Sequence, residues 1–360
     1  MPGALFALAP VALVASLVAG PGVIPGQAAV SVAPPIEIGV ARFLSDRSTT
    51  IAPTTTTLRP DGRPSLGPTL VADARPGDLR IDPEADALPV GYVAEPADEV
   101  IRDISYGPDD AHRMDLYLPD ATNAPVVVYL HHGGWTGGDR GDVPDMVLRF
   151  VERGYAVASV GYRLAPEHPF PAPMHDVKRA IRELKVFGDE TGLIDGDALV
   201  LYGISAGGQL AAFAAATVGE FEPEGLTAAQ AARDSSVAGI VVVVGPTDLV
   251  ELYDHPHGWA RPMTGAHAGC DPCTGEQLAL ASPITHVHAD MAPAYWAYGG
   301  LDPLVDAAAQ GRLIAEAWAE AAGGDASWLD VVENESHVLD ETMVNQRSLE
   351  AFVDLAAGRR

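Results

Sequence analysis

A serine flanked by glycines constrains the fold of this chain more than any other segment. Ala198–Tyr202 is an apolar run, Gly203-Ile204-Ser205-Ala206-Gly207 follows it, and Gly208–Ala216 has an alanine-rich helical pattern. Strand, sharp turn and helix in this order are the context of a G-x-S-x-G nucleophile elbow, which exposes its serine at the carboxyl edge of a sheet. The segment therefore predicts Ser205 as a nucleophile, and the alternative is an ordinary glycine-rich loop.

Strand patterns alternate with helical patterns along the chain after residue 97. Such alternation predicts an α/β fold with a mostly parallel, eight-stranded sheet that carries helices on both faces. We expect the strands at Val100–Tyr106, His112–Leu118, Val126–Leu130, Tyr155–Val160, Leu199–Tyr202, Gly239–Val244, Ala294–Tyr298 and Trp328–Val332. We expect the helices at Asp142–Glu152, Met174–Gly188, Gly208–Thr217, Asp306–Ala322 and Asn345–Ala356.

An acid and a histidine follow Ser205 in the order that an α/β-hydrolase uses for its triad. Asp302 comes after the strand Ala294–Tyr298 and a glycine turn, and His337 follows the last predicted strand. A serine hydroxyl is a poor nucleophile until a base takes its proton, and an imidazole titrates near neutral pH. A carboxylate on the other ring nitrogen would fix the tautomer of the base and stabilise its imidazolium. We therefore predict Ser205, Asp302 and His337 as catalytic residues.

Other residues compete for two of these roles. Asp248 follows the preceding strand and is a rival acid, whereas Asp302 could merely cap a helix that begins near Pro303. His337 has rivals among the histidines between Asp248 and the last strand, namely His255, His257, His286 and His288. Of these bases, only His337 follows the last predicted strand, which favours it.

A second glycine-rich turn follows the predicted strand Val126–Leu130. Its sequence is His131-His132-Gly133-Gly134-Trp135, and glycines there let the backbone point N–H groups at a developing oxyanion. Together with the N–H after the nucleophile, that of Ala206, the N–H groups of Gly133 and Gly134 would stabilise a tetrahedral intermediate. The alternative is a strand exit without a catalytic role.

The turn His131–Trp135 resembles the HGGGW box of hormone-sensitive-lipase-like carboxylesterases. Gly161–Ala172, which reads GYRLAPEHPFPA, is similar to a second signature of that family, and the likeness extends from about Val100 to about Leu355. The resemblance implies an α/β-hydrolase fold and a serine esterase that needs no metal and no organic cofactor. One departure is His132, which stands at the first glycine of the box and would narrow or polarise the acyl site.

The charge balance limits the partners of this protein. The chain has 360 residues, of which 48% are hydrophobic, and its formal net charge is −27. Such an excess of acidic groups argues against nucleic acid and anionic membrane surfaces as partners and predicts repulsion of anionic substrates. A neutral small-molecule ester is the expected substrate, and the oligomeric state stays open.

The first 96 residues have a different composition from the rest. Residues 1–29 resemble a secretory signal peptide, because Ala4 to Val18 is almost wholly apolar and small residues follow, although no basic residue precedes this run. We therefore expect a secreted protein without a membrane partner in its mature form, and an N-terminal membrane anchor is the alternative. Residues 30–96 are rich in Pro and Thr, which predicts a linker or extension, and residues 97–360 are the expected catalytic domain.

Both cysteines lie in the segment 248–281, which we expect to be a long loop. Cys270 and Cys273 form a C-x-x-C pair, which can be a short disulfide, a redox dithiol, half of a zinc site or two free thiols. Export would favour a disulfide that staples the loop. His267 and Asp271 are weak candidates for completing a zinc shell.

The function that these residues favour is a serine carboxylesterase for short-chain acyl esters, which acts through an acyl-enzyme. The alternatives are an arylformamidase or peptidase-like amidase on the same triad, and a non-catalytic binding protein on the hydrolase scaffold. The short-chain expectation depends on His132 and on the lack of an evident helical cap, because long chains need an extended apolar groove. His257 and Trp259 either line the acyl pocket or are packing residues.

Overall fold

Eight strands form a sheet in the computed structural model, which describes residues 99–337 and 344–359. They are β1 (Glu99–Ser105), β2 (Arg113–Leu118), β3 (Ala124–Leu130), β4 (Ala156–Val160), β5 (Ile194–Ile204), β6 (Gly239–Val243), β7 (Ala294–Gly299) and β8 (Ser327–Val332). Their order across the sheet is β1-β2-β4-β3-β5-β6-β7-β8. Strand β2 pairs antiparallel with β1 and β4, and the remaining neighbours are parallel.

Helices connect the parallel strands. The α-helices are α1 (Asp145–Glu152), α2 (Ala172–Thr191), α3 (Ala206–Ala216), α4 (Ala228–Ala231), α5 (Leu249–Asp254), α6 (Arg261–Ala268), α7 (Gly275–Leu280), α8 (Leu313–Ala322) and α9 (Gln346–Ala356). A π-helix, Ala307–Arg312, runs directly into α8. Within the described ranges, none of the helices has both the length and the apolar character that a membrane span requires.

The core consists of two apolar layers, one on each face of the sheet. Side chains alternate along a strand, so Val126 and Val128 of β3 belong to the layer that contains α2, α3 and α8, whereas Val127 and Tyr129 belong to the layer that contains α1 and α9. Because both faces are covered, the inner strands are continuous apolar runs. This is why their positions are readable from the sequence.

The predicted α/β-hydrolase architecture is confirmed, but the prediction of a long loop at residues 248–281 is wrong. Helices α5, α6 and α7 occupy most of that segment. Helices of six to eight residues contain too few turns for an apolar period to stand out. A local signal did exist, because Thr274 and Gln277 form a capping box at the start of α7. The predicted signal peptide and the extension at residues 30–96 lie outside the described residues.

Candidate active site

Ser205 stands at the junction of β5 and α3 in a backbone conformation that side chains rarely adopt. Its φ is +51° and its ψ is −116°. A Cβ at Gly203 would overlap the carbonyl of Gly207, and one at Gly207 would overlap the carbonyl of Leu130. The tight turn therefore requires both glycines, and it lifts the serine side chain out of the sheet edge. The Ser205 N–H donates to the carbonyl of Val243 at 2.8 Å, which ties the turn to β6.

The structure brings Ser205, His337 and Asp302 into one hydrogen-bonded row. His337 Nε2 lies 3.2 Å from Ser205 Oγ, and His337 Nδ1 lies 2.7 Å from Asp302 Oδ2. The carboxylate is fully buried, while 18% of the His337 side chain is exposed. With its proton on Nδ1, the imidazole donates to the carboxylate and presents the Nε2 lone pair to the serine hydroxyl.

Asp302 both contacts His337 and caps a turn, and each contact uses a different carboxylate oxygen. Oδ2 faces His337, whereas Oδ1 accepts from the backbone N–H groups of Leu304 at 2.8 Å and Val305 at 2.9 Å. The same carboxylate thus caps the turn after β7 and holds the imidazole. Because the turn fixes Oδ1, the direction of Oδ2 is fixed as well.

The residues that compete with Asp302 and His337 make contacts elsewhere. Asp248 is the N-cap of α5, where its Oδ1 accepts from the N–H of Val250 at 3.0 Å. His286 donates to the Leu280 carbonyl at 2.9 Å, and His288 Nδ1 accepts from the Asp290 N–H at 3.1 Å. The rings of His255 and His257 pack 5.3 Å apart at the surface. Among the described histidines, His337 is therefore the one that reaches Ser205 Oγ.

The turn after β3, residues 131–135, runs beside the serine with left-handed backbone. The φ angles of Gly133 and Gly134 are +126° and +59°. A side chain at Gly133 would overlap the carbonyl of Gly137, whose N–H donates to the Gly133 carbonyl at 3.0 Å. Ala206 is the first residue of α3, so its N–H has no acceptor within the helix. These three residues are the predicted oxyanion donors, and two of them, Gly134 and Ala206, line one cleft together with Ser205.

Several side chains hold the 131–135 turn in place. The Tyr162 hydroxyl donates to the His131 carbonyl at 2.7 Å, and the two rings stack 4.1 Å apart. Burial lowers the pKa of the His131 imidazole, which therefore stays neutral near pH 7. Trp135 Nε1 donates to the side-chain oxygen of Gln209 at 3.0 Å, and Gln209 lies on α3. A hydrogen bond thus joins this turn to the helix that follows Ser205.

Beside Ser205 lies a small, partly open cleft. Apart from the serine, its lining is apolar and consists of Gly134, Trp135, Ala206, Pro246, Leu252, Ala260, Met263, Leu304 and Val305. Leu252 belongs to α5 and Met263 to α6, so the segment expected to be a loop provides one wall. His132, His257 and Trp259 do not line this cleft. Trp259 is 61% exposed and stacks on the His257 ring at 5.4 Å.

Sequence reasoning missed two side chains that shape this region. Gln310, on the π-helix, accepts from the N–H groups of Thr247 at 2.7 Å and Asp248 at 2.8 Å, which fixes the loop that carries Pro246. His267, weighed only as a zinc ligand, lies fully buried in α6 with its ring stacked on Trp135 at 4.5 Å. Burial lowers the pKa of His267 to about 3. Neither residue has a local motif, since each acts through contacts distant in sequence.

The fold and the site define the class of this protein as an α/β-hydrolase. The family model described as BD-FAE matches residues 114–318, and the chain belongs to this family. The probable carboxylic ester hydrolase LipM of Mycobacterium tuberculosis is 33% identical over 56% of this chain and 48% of LipM. The chain therefore spans about half the length of that relative. These matches confirm the resemblance to hormone-sensitive-lipase-like esterases.

Two further relatives agree with this placement. The esterase LipI of Mycobacterium tuberculosis is 30% identical over 71% of this chain and 84% of LipI. The solved structure of the esterase Est2 from Thermogutta terrifontis covers 75% of this chain and 96% of its own, with a TM-score of 0.55 at 21% identity. At this identity the structural likeness shows a shared fold.

Proposed function

We propose that this protein is a serine carboxylesterase that hydrolyses neutral, short-chain acyl esters through an acyl-enzyme. The observation that carries the proposal is the row of Asp302, His337 and Ser205, joined by distances of 2.7 and 3.2 Å. Its position beside glycines with positive φ supports the same function, as do relatives that are named esterases.

In the proposed reaction, Ser205 Oγ attacks the ester carbonyl carbon while His337 Nε2 takes the hydroxyl proton. The carbonyl oxygen becomes an oxyanion, which accepts from the N–H groups of Gly133, Gly134 and Ala206. Collapse of this intermediate breaks the bond to the alcohol, which leaves with the proton from His337. Water then repeats the sequence on the acyl-enzyme and releases the acid, and Asp302 stabilises the imidazolium in both halves.

The cleft supports a preference for short, neutral acyl groups. The enclosed part of the cleft is small, and apart from Ser205 its lining is apolar. Buried methylene groups contribute about 0.8 kcal/mol each only while the groove has room for them. Since the net charge is −27, anionic acyl groups are also repelled.

We also propose that the protein works outside the reducing cytosol. Cys270 and Cys273 lie close enough for a disulfide in the turn after α6, and such bonds persist in oxidising compartments. Together with the signal-like residues 1–29, this supports secretion. Detection of the processed protein in culture medium would test it.

The experiment that tests the function is hydrolysis of p-nitrophenyl butyrate beside the matching p-nitroanilide. The expected result is ester turnover that exceeds amide turnover and that an organophosphonate abolishes by labelling Ser205. Faster amide hydrolysis would favour the amidase alternative. A wild-type protein that neither turns over these substrates nor reacts with the phosphonate would favour the binding protein.

A further inference from the structure

Met263 lies at the point where the cleft meets the turn of residues 131–135. Its side chain lines the cleft together with Ser205. A Cβ built at Gly134 would stand 2.5 Å from Met263 Sδ and 3.4 Å from its Cγ, so the thioether lies directly over the Gly134 backbone. Gly134 is one of the proposed oxyanion donors. The methionine therefore sits within one side-chain length of the position of the ester carbonyl.

Helix α6 holds Met263 there by contacts on the same face of the helix. His267 is four residues further along, and it stacks on the neighbouring Trp135 with an angle of 15° between the rings. The His267 carbonyl accepts from the Phe170 N–H at 2.6 Å. The helix ends in the turn where Cys270 and Cys273 lie close enough for a disulfide. Met263 is thus carried by a backbone that is fixed relative to the oxyanion donors.

The position of His337 favours this cleft as the acyl site. The departing alcohol has to lie within reach of His337 Nε2, because that nitrogen returns the proton to it. His337 Nε2 lies 3.2 Å from Ser205 Oγ, and His337 is not among the residues that line the cleft. With the carbonyl oxygen on Gly133 and Gly134, the alcohol points towards His337 and the acyl chain points into the cleft.

We propose that Met263 is the specificity-determining residue for acyl length. The inference rests on the proposed esterase function and adds to it the side chain that limits the substrate. The Met263 side chain lines the cleft that the acyl chain would enter and lies beside its carbonyl end, so a shorter side chain at this position would leave room for a longer acyl group. Methionine has three rotatable bonds and packs adaptably, so it sets a graded limit on length.

The test compares kcat/KM for p-nitrophenyl acetate, butyrate, hexanoate, octanoate and decanoate in four proteins. These are the wild type, Met263→Ala, Met263→Phe and the control Leu280→Ala, which truncates an exposed side chain outside the cleft. We expect Met263→Ala to move the optimum to longer chains, with a gain of about fourfold over the wild type for each methylene newly buried. For Met263→Phe, kcat/KM should begin to fall at a shorter acyl length than for the wild type. Leu280→Ala should keep the wild-type dependence on acyl length.

The outcomes separate the two proposals. An active wild type whose profile is unchanged in a folded Met263→Ala overturns the assignment of Met263 and leaves the esterase function intact. If Met263→Ala does not fold, Met263→Phe decides, because a profile equal to that of the wild type overturns the assignment in the same way. A wild type that hydrolyses none of the esters and resists phosphonate labelling overturns both.

Discussion

Replacing Asp302 with asparagine exchanges one carboxylate oxygen for an NH2 group in the hydrogen-bonded row of Asp302, His337 and Ser205. The Asn amide can keep its oxygen at the position of Oδ1, where the N–H groups of Leu304 and Val305 donate at 2.8 and 2.9 Å. Its NH2 group then faces His337 Nδ1, which has to become an acceptor. The imidazole proton moves to Nε2, so no lone pair faces Ser205 Oγ. The opposite amide orientation would set NH2 against two N–H groups and is disfavoured.

The expected loss of kcat is large because His337 is then present only in the tautomer that cannot accept the proton of Ser205. A change of this kind in a Ser-His-Asp triad lowers kcat by about 10⁴-fold, which corresponds to about 5.4 kcal/mol. The fold should persist, since the cap of the turn after β7 is retained. The assay is kcat on p-nitrophenyl acetate, with the melting temperature measured for each variant.

Asp248→Asn is the matched control for this experiment. Asp248 caps α5, and asparagine caps a helix about as well as aspartate, so stability should change by less than about 1 kcal/mol and kcat by less than about threefold. The reasoning is refuted if Asp248→Asn is the crippling change while Asp302→Asn retains near-wild-type turnover. The acid would then belong to the end of β6.

Three further predictions follow from the site. Ser205→Ala should remove measurable turnover and phosphonate labelling with the fold retained, and substantial residual activity in the pure variant would contradict the role of Ser205. The wild type should hydrolyse acetyl to butyryl esters with higher kcat/KM than decanoyl esters, whereas an optimum at ten carbons or more would exclude a short-chain enzyme. Burial lowers the pKa of His267 to about 3, from about 6.5 in an unfolded chain, so below pH 6.5 the unfolded state binds a proton that the native state does not. This residue alone should cost about 1.4 kcal/mol of stability per pH unit between pH 6.5 and 3. His267→Phe keeps a ring against Trp135, so denaturant unfolding at pH 7 and pH 5 should show a smaller loss in this variant, and an equal loss would contradict the assignment.

The sequence predicted those parts of the site that depend on chain order. Strands β3, β5 and β7 are buried on both faces, so their apolar runs marked where Gly133, Ser205 and Asp302 leave the sheet edge. The cleft wall was not predictable in this way. Whether Leu252 and Met263 face Ser205 depends on how α5 and α6 pack, and short helices leave no periodic signal.

The bond between Trp135 and Gln209 has a kinetic consequence. Trp135 belongs to the turn with the proposed oxyanion donors, and Gln209 belongs to the helix that starts after the proposed nucleophile, so this hydrogen bond couples the positions of the two segments. Gln209 also donates to the Ala281 carbonyl at 2.9 Å, which adds the segment after α7 to the same unit. An active centre held in this way is already assembled before the substrate binds, so no binding free energy is needed to assemble it. Product formation should then begin without a lag when enzyme and ester are mixed.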